Sequence, residues 1–203
     1  MVSVSRRLGA GAVSRGGSAG VTGGCMGAGG RPGPSPATAE ARRGALSAAE
    51  WVPAPDQEFT DLDKALCLLA GRGARNVSVA GGLGRRVDHS LSNISLLLKY
   101  RGRLSITFHT SIEDVFLLDG RWSFEARRGR RISVLPLFGQ ARVTLSGLQY
   151  PLEDEPLEMG KRESISNAAL GGPASIVVSK APVLVCVGRA ARDAPVFAPV
   201  ARA

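Results

Sequence analysis

The chain has 203 residues, a net charge of +9 and a pI near 10.5. That length holds one large domain or two small ones. No apolar run approaches the roughly 18 residues needed to span a bilayer, and no charged-then-apolar secretory signal opens the chain. Cys25, Cys67 and Cys186 are too far apart for metal-ligand spacing or a disulfide framework. Cys67 and Cys186 lie in apolar runs and read as small buried hydrophobes. A reduced, cytoplasmic protein follows.

Residues 1–50 differ from the rest. They hold 12 of the 26 glycines, no aromatic residue, no lysine and no aspartate. Six arginines against Glu40 and Glu50 leave this segment at +4 of the net +9. Such a composition cannot bury a core, so disorder is the expectation. A transit peptide, a basic nucleic-acid tail and a non-native segment from a misplaced start or shifted frame all fit, and the last is favoured. Amphipathic periodicity is absent, and glycine is too frequent for a transit peptide.

Order is expected from Trp51. Residues 60–71 read as a helix, with Leu62, Ala65, Leu66 and Leu69 on one face. Thr60 is its N-cap, Asp63 approximates a capping box, and Gly71 and Gly73 end it. Asn76–Ala80 reads as a buried strand. Gly81-Gly82-Leu83-Gly84-Arg85-Arg86-Val87-Asp88-His89 then turns into a second helix over about 88–100, with Leu91, Ile94 and Leu98 on its buried face. Leu104–Phe108 is the next strand. Helix, strand, helix, strand points to a parallel α/β unit.

The glycine turn carries the first chemistry. Glycines allow close backbone approach, and helix N-terminal N–H groups favour an anion. Arg86 adds a bidentate donor for phosphate oxygens. Asp88 beside it suits a metal, a ribose hydroxyl or a helix cap. A turn that merely closes a strand–helix corner has the same composition.

After residue 110 short strands recur between turn signals: 115–118, 122–125, 132–136, 142–146, 163–168, 175–179 and 183–187. That spacing predicts an antiparallel sandwich or barrel. The basic run Arg127-Arg128-Gly129-Arg130-Arg131 reads as a solvated hairpin turn. Without basic–aromatic interleaving, a nucleic-acid function is poorly supported. The division is therefore 1–50 disordered or non-native, 51–112 a partial α/β nucleotide-binding unit, 113–188 a β-sandwich and 189–203 a frayed tail, with a boundary near Ser111–Asp114. Two strands and two helices are few for a doubly wound sheet, so a missing N-terminal part is expected.

The motifs together are more specific. Pro55-Asp56-Gln57-Glu58-Phe59-Thr60-Asp61 precedes the glycine turn with Arg86, Asp88, His89 and Asn93. Ile132-Ser133-Val134-Leu135-Pro136-Leu137 precedes Gly147-Leu148-Gln149-Tyr150-Pro151-Leu152, and Ser164-Ile165-Ser166-Asn167 follows. Over about residues 53–188 this series resembles the thiamine pyrophosphokinase (thiamine diphosphokinase) family. The resemblance implies a Rossmann-like domain followed by a β-sandwich, and attack of the thiamine hydroxyl on the β-phosphorus of ATP, with AMP leaving. It implies Mg²⁺ on the phosphates and a homodimer with thiamine near the subunit interface.

By the same resemblance Asp61 holds Mg²⁺ and is catalytic. Gly81, Gly84, Arg86 and Asp88 hold ATP, and Gln57, Ser164, Ser166 and Asn167 meet thiamine. Each has a structural alternative: Asp61 and Asp88 as first-turn acids, Ser166 and Asn167 as a strand end. Glu58 stands where the family has Asp, and Arg85 where many members have Gly. The family's Asp-Gly-Gly-Ala and Gly-Asp-x-Asp-Ser motifs, which supply most Mg²⁺ ligands, have no counterpart in residues 1–50. Little or no turnover is therefore expected from the chain as written, and the alternative is a thiamine-binding or dimerising fragment without catalysis.

Overall fold

The computed structural model describes residues 2–7, 20–23, 58–84, 86–190 and 195–199, the first two segments as backbone. These described residues form an eight-stranded sheet, a four-stranded sheet and two helices. The strands are β1 (Val2–Arg7), β2 (Gly20–Gly23), β3 (Asn76–Ala80), β4 (Ser105–His109), β5 (Glu113–Leu118), β6 (Arg121–Ala126), β7 (Arg131–Leu135), β8 (Ala141–Ser146), β9 (Leu152–Leu157), β10 (Ser164–Ala168), β11 (Gly172–Ser179) and β12 (Val183–Gly188). The helices are α1 (Asp61–Gly71) and α2 (Val87–Lys99). The large sheet runs β10-β7-β12-β5-β4-β3-β1-β2 and the small one β6-β11-β8-β9. This is an α/β unit followed by an antiparallel sandwich, as the order of elements predicts.

Helix α1 forms where the apolar spacing places it. Leu62, Ala65, Leu66 and Leu69 are buried, and Thr60 Oγ1 accepts from Asp63 N–H at 3.3 Å. The capping box is only half made. The Asp63 carboxylate turns inward instead, accepting from Lys99 Nζ at 2.6 Å and Tyr100 Oη at 2.7 Å. This ties α1 to the end of α2, and burial beside that carboxylate pushes the Tyr100 hydroxyl well above its ordinary range. Both helices cover one face of β3 and β4, where Val77, Val79, Ile106 and Phe108 are buried. β3 and β4 are parallel, as expected for a strand–helix–strand crossover.

Several expectations are corrected. The buried residues of α2 are Leu96 and Leu97, while Leu91 is 60% and Leu98 40% exposed. The helix is rolled so that Ile94, Leu97 and Tyr100, at three-residue spacing, meet the core. Cys67 is exposed, on the outer side of α1. Cys186 packs at the edge of the core, and burial raises its thiol to about 12; Cys25 lies outside the described residues. The Arg127–Arg131 turn does not close a hairpin: β6 and β7 belong to different sheets, so it crosses between them. β9 was not predicted, because Leu152-Glu153-Asp154-Glu155-Pro156-Leu157 has the charge and proline of an edge, and an edge is where it lies. Within the segment expected to be disordered, Val2–Arg7 pairs with β3 and Gly20–Gly23 with β1; the Val-Ser-Val-Ser alternation is a period-two strand signal. The expected boundary near Ser111–Asp114 falls on the turn between β4 and β5, which are hydrogen-bonded neighbours in one sheet.

The tail also departs from expectation, since residues 195–199 are fastened to the sheet face opposite the helices. Ser105 Oγ donates to Pro199 O at 2.8 Å, and Ala198 N–H donates to Thr107 Oγ1 at 2.7 Å. Val196 N–H donates to Asp114 Oδ2 at 2.8 Å. Asp114 is fully buried. Its other oxygen lies 2.7 Å from His109 Nδ1 and 3.6 Å from Arg189 Nη1. One carboxylate thus joins β4, β5, β12 and the tail. Asp114→Ala should destabilise the fold by about 3 kcal/mol in urea unfolding, because it strands several buried donors at once. Cys67→Ser, on the exposed side of α1, should leave the urea midpoint unchanged.

Candidate functional site

The glycine turn leaves β3 at the carboxyl end of the parallel pair, where ligands of open α/β sheets bind. Gly81 (φ 73°) and Gly84 (φ 106°) occupy left-handed backbone. Gly82 is required for a different reason. It is buried, and a Cβ there would lie 2.7 Å from the Phe108 ring. Asn93 Nδ2 donates to Gly82 O at 2.6 Å and ties the turn to α2. Ser90 Oγ accepts from Gly84 N–H at 3.1 Å and donates to Arg86 O at 2.9 Å.

Arg86 is the N-cap residue of α2, and Asp88 sits in the first turn rather than capping it. The Arg86 guanidinium donates to both Asp88 carboxylate oxygens, and Asp88 Oδ1 also accepts His89 N–H at 2.9 Å. Both side chains are about two-thirds exposed, at 65% and 63%. An exposed pair contributes little to stability. A phosphate arriving at the helix N-terminus can therefore draw Arg86 away from Asp88 at small cost. The Arg86 bond, and then the His89 N–H, hold the Asp88 carboxyl at about 2.

Asp61 begins α1, 3.9 Å from Lys64 Nζ. Among the described residues no three His, Cys, Asp or Glu side chains gather in a metal-binding group. A Mg²⁺ centre takes one or two well-placed carboxylates besides the substrate phosphates, so Asp61 alone is the minimum such a centre uses. Gln57 and Arg85 lie outside the described residues.

The Ser-x-Ser-Asn segment forms β10, the far edge of the same sheet. Ser164 pairs with Val134, and the register then slips before Asn167. Ser166 sits in that bulge with φ 57° and is exposed. Its N–H donates to Ser133 Oγ at 3.0 Å. Asn167 differs from the two serines: it is 1% exposed and bonded to the Tyr150 main chain. Tyr150 is 63% exposed beside this edge. In the sequence Tyr150 stands only as part of the Gly147–Leu152 motif, with no role of its own; the signal for it is an aromatic residue between Gly147 and Pro151.

The structure brings Gly81, Gly84, Arg86 and Asp88 together, and Ser164, Ser166 and Tyr150 together. It keeps the two groups apart. Five inter-strand steps separate β3 from β10, about 24 Å at roughly 4.8 Å per step. A cleft of about 1070 Å³ lined by Leu97, Arg101, Leu117, Asp119 and Arg121 lies at the opposite, amino end of β4 and includes neither group.

Ser78, His109 and Asp114 form a further chain, with His109 Nε2 3.2 Å from Ser78 Oγ. Its order is that of a nucleophilic triad. Ser78 is mid-strand, however, paired to β1 and β4. The ladder occupies the adjacent N–H groups that would have to stabilise an oxyanion, so the trio is structural.

Comparison with known proteins matches both halves. The profile for thiamin pyrophosphokinase, catalytic domain, covers residues 37–108, and that for thiamin pyrophosphokinase, vitamin B1 binding domain, covers 123–184. Thiamin pyrophosphokinase 1 of Caenorhabditis elegans is 31% identical over 139 residues, 59% of this chain and 54% of that protein. The chain thus spans about half the length of that relative. Thiamine pyrophosphokinase from Bacillus subtilis superposes with a TM-score of 0.68 at 23% identity, covering 76% of this chain and 73% of that one. The enzyme from Geobacillus thermodenitrificans gives 0.66 at 25% identity, covering 77% and 74%.

Asp88 titrates below its ordinary 3.8, so the Arg86 pair is fully present above about pH 4 and is lost as pH falls toward 2. A carbon-detected titration should place the Asp88 midpoint near 2 and return it to the ordinary range in Arg86→Gln. An unchanged midpoint in that variant would show that Arg86 is not the cause.

Proposed function

The chain belongs to the thiamin pyrophosphokinase family, and from that premise we propose that it serves pyrophosphoryl transfer from ATP to the thiamine hydroxyl, giving thiamine diphosphate and AMP. The observation that carries the proposal is the order of the two half-sites along one sheet: an anion turn at β3 and an exposed polar and aromatic edge at β10.

In this reading ATP lies at the Gly81–Asp88 turn. The α2 N–H groups and Arg86 hold its phosphates. Thiamine lies at β10, where Ser164 and Ser166 offer hydroxyls. Tyr150 offers an aromatic face to the cationic thiazolium or the pyrimidine ring. Reacting atoms must come within roughly 3–3.5 Å. Half-sites about 24 Å apart in one chain cannot achieve this. A homodimer with two-fold symmetry can, by setting the turn of one copy against β10 of the other.

Mg²⁺ would accompany ATP. In this chain Asp61 would hold it. With one carboxylate available, slow turnover is expected, and thiamine binding without catalysis is the second reading. A cytoplasmic setting agrees with free Cys67 and Cys186. No helix among the described residues is long and apolar enough to cross a membrane.

The test measures AMP release with millimolar thiamine and MgATP, beside calorimetry of each ligand. Slow AMP release that requires thiamine is expected. Arg86→Gln should raise the KM for ATP about tenfold, the scale of a lost charge-assisted bond. Thiamine binding without AMP would leave the non-catalytic reading, and failure to bind either ligand would overturn both.

A further inference from the structure

We propose that Asn167 and Ser133 are positioning residues, which fix Tyr150 and Ser166 in the geometry that thiamine needs without touching it. The inference rests on the thiamine reading of the β10 edge given above.

The segment Gly147–Tyr150 lies along β10. Gln149 N–H donates to Ala168 O at 2.8 Å, Leu170 N–H donates to Gly147 O at 3.0 Å, and Leu148 bridges Ala169. One step further, side chain replaces main chain. Asn167 Oδ1 accepts Tyr150 N–H at 3.0 Å, and Asn167 Nδ2 donates to Tyr150 O at 2.7 Å. An amide facing a peptide in both directions reproduces a rung of an antiparallel ladder. The same Oδ1 accepts Ala168 N–H at 2.9 Å. Both lone-pair directions of that oxygen and one amide hydrogen are then in use. At 1% exposure Asn167 presents no surface to a ligand. Its effect reaches the site through Tyr150, whose backbone it pins while the ring stays 63% exposed.

Ser133 does the corresponding work on the bulge. A non-glycine residue in left-handed backbone is strained and persists only where its surroundings impose it. Ser166 has φ 57°, and the bond from its N–H to Ser133 Oγ supplies the constraint. Ser133 is 7% exposed on the neighbouring strand β7. A bulge at an edge re-aims side chains. Here it leaves Ile165, 60% exposed, and Ser166 pointing out on the edge that Tyr150 shares. Two buried polar residues thus set an exposed hydroxyl and an exposed ring.

The chain has two tyrosines, and Tyr100 is 2% exposed, so ring-labelled tyrosine gives one buried reference and one reporter. Full-length wild type, Asn167→Asp and Ser133→Ala are each titrated with thiamine and, separately, with ATP. Thiamine should shift the wild-type Tyr150 signals. Asn167→Asp should narrow those signals before ligand is added and weaken thiamine about tenfold, the scale of one lost buried bond. Tyr100 and the ATP affinity should not change. Ser133→Ala should weaken thiamine about threefold with Tyr150 still ordered, and it carries the test if Asn167→Asp fails to fold. Variants that bind thiamine as wild type does would overturn the positioning role while leaving the thiamine site intact. Wild-type Tyr150 signals that ignore thiamine while ATP still binds would overturn the thiamine reading and this inference with it.

Discussion

The antiparallel pairing of β4 with β5 is the constraint on which the rest of the structure depends. Through it the parallel pair β3–β4 and the antiparallel run β5-β12-β7-β10 become one sheet. The glycine turn follows β3, the third strand from one end of that sheet, and the Ser-x-Ser-Asn segment forms the strand at the other end. Hydrogen-bonded strands cannot slide together, so their separation is fixed by counting strands. Symmetry between two copies is then the economical way to unite them.

Asp114 holds this junction. A fully buried carboxylate is costly unless its partners are complete. Here they come from three places in the chain: His109, Arg189 and Val196 N–H. The network draws residues 195–199 across the polar face of β4. Ser105 and Thr107 point away from the helices and would otherwise lack the backbone partners that the tail supplies. The same sequence alternation that buries Ile106 and Phe108 under α1 and α2 thus prepares the opposite face for the tail.

Much of this was legible in the sequence where the signal is local. The four-residue face of α1, the Asn76–Ala80 strand, the glycine turn and seven antiparallel strands follow from apolar period and turn residues. The α2 face was not, because Leu91, Ile94, Leu96, Leu97 and Leu98 allow more than one stripe, and packing in the cluster that holds Val79, Ile106 and Phe108 chooses between them. β9 hid behind its charges. Arg86 and Asp88, two residues apart, were legible as a pair. The link from Asn167 to Tyr150 spans 17 residues and that from Ser133 to Ser166 spans 33. No local pattern encodes such contacts, so the motif that suggests thiamine for Asn167 does not reveal that its amide is bonded to the Tyr150 main chain.

In the proposed dimer a working site is made of the turn of one copy and the β10 edge of another. Subunit complementation tests it most directly. Arg86→Gln and Tyr150→Ala chains are each impaired alone, and they are mixed under conditions that exchange subunits. Thiamine-dependent AMP release should recover to about a quarter of the wild-type value, since half the dimers then carry one intact site. Mixed dimers that form and stay as impaired as either parent would contradict it.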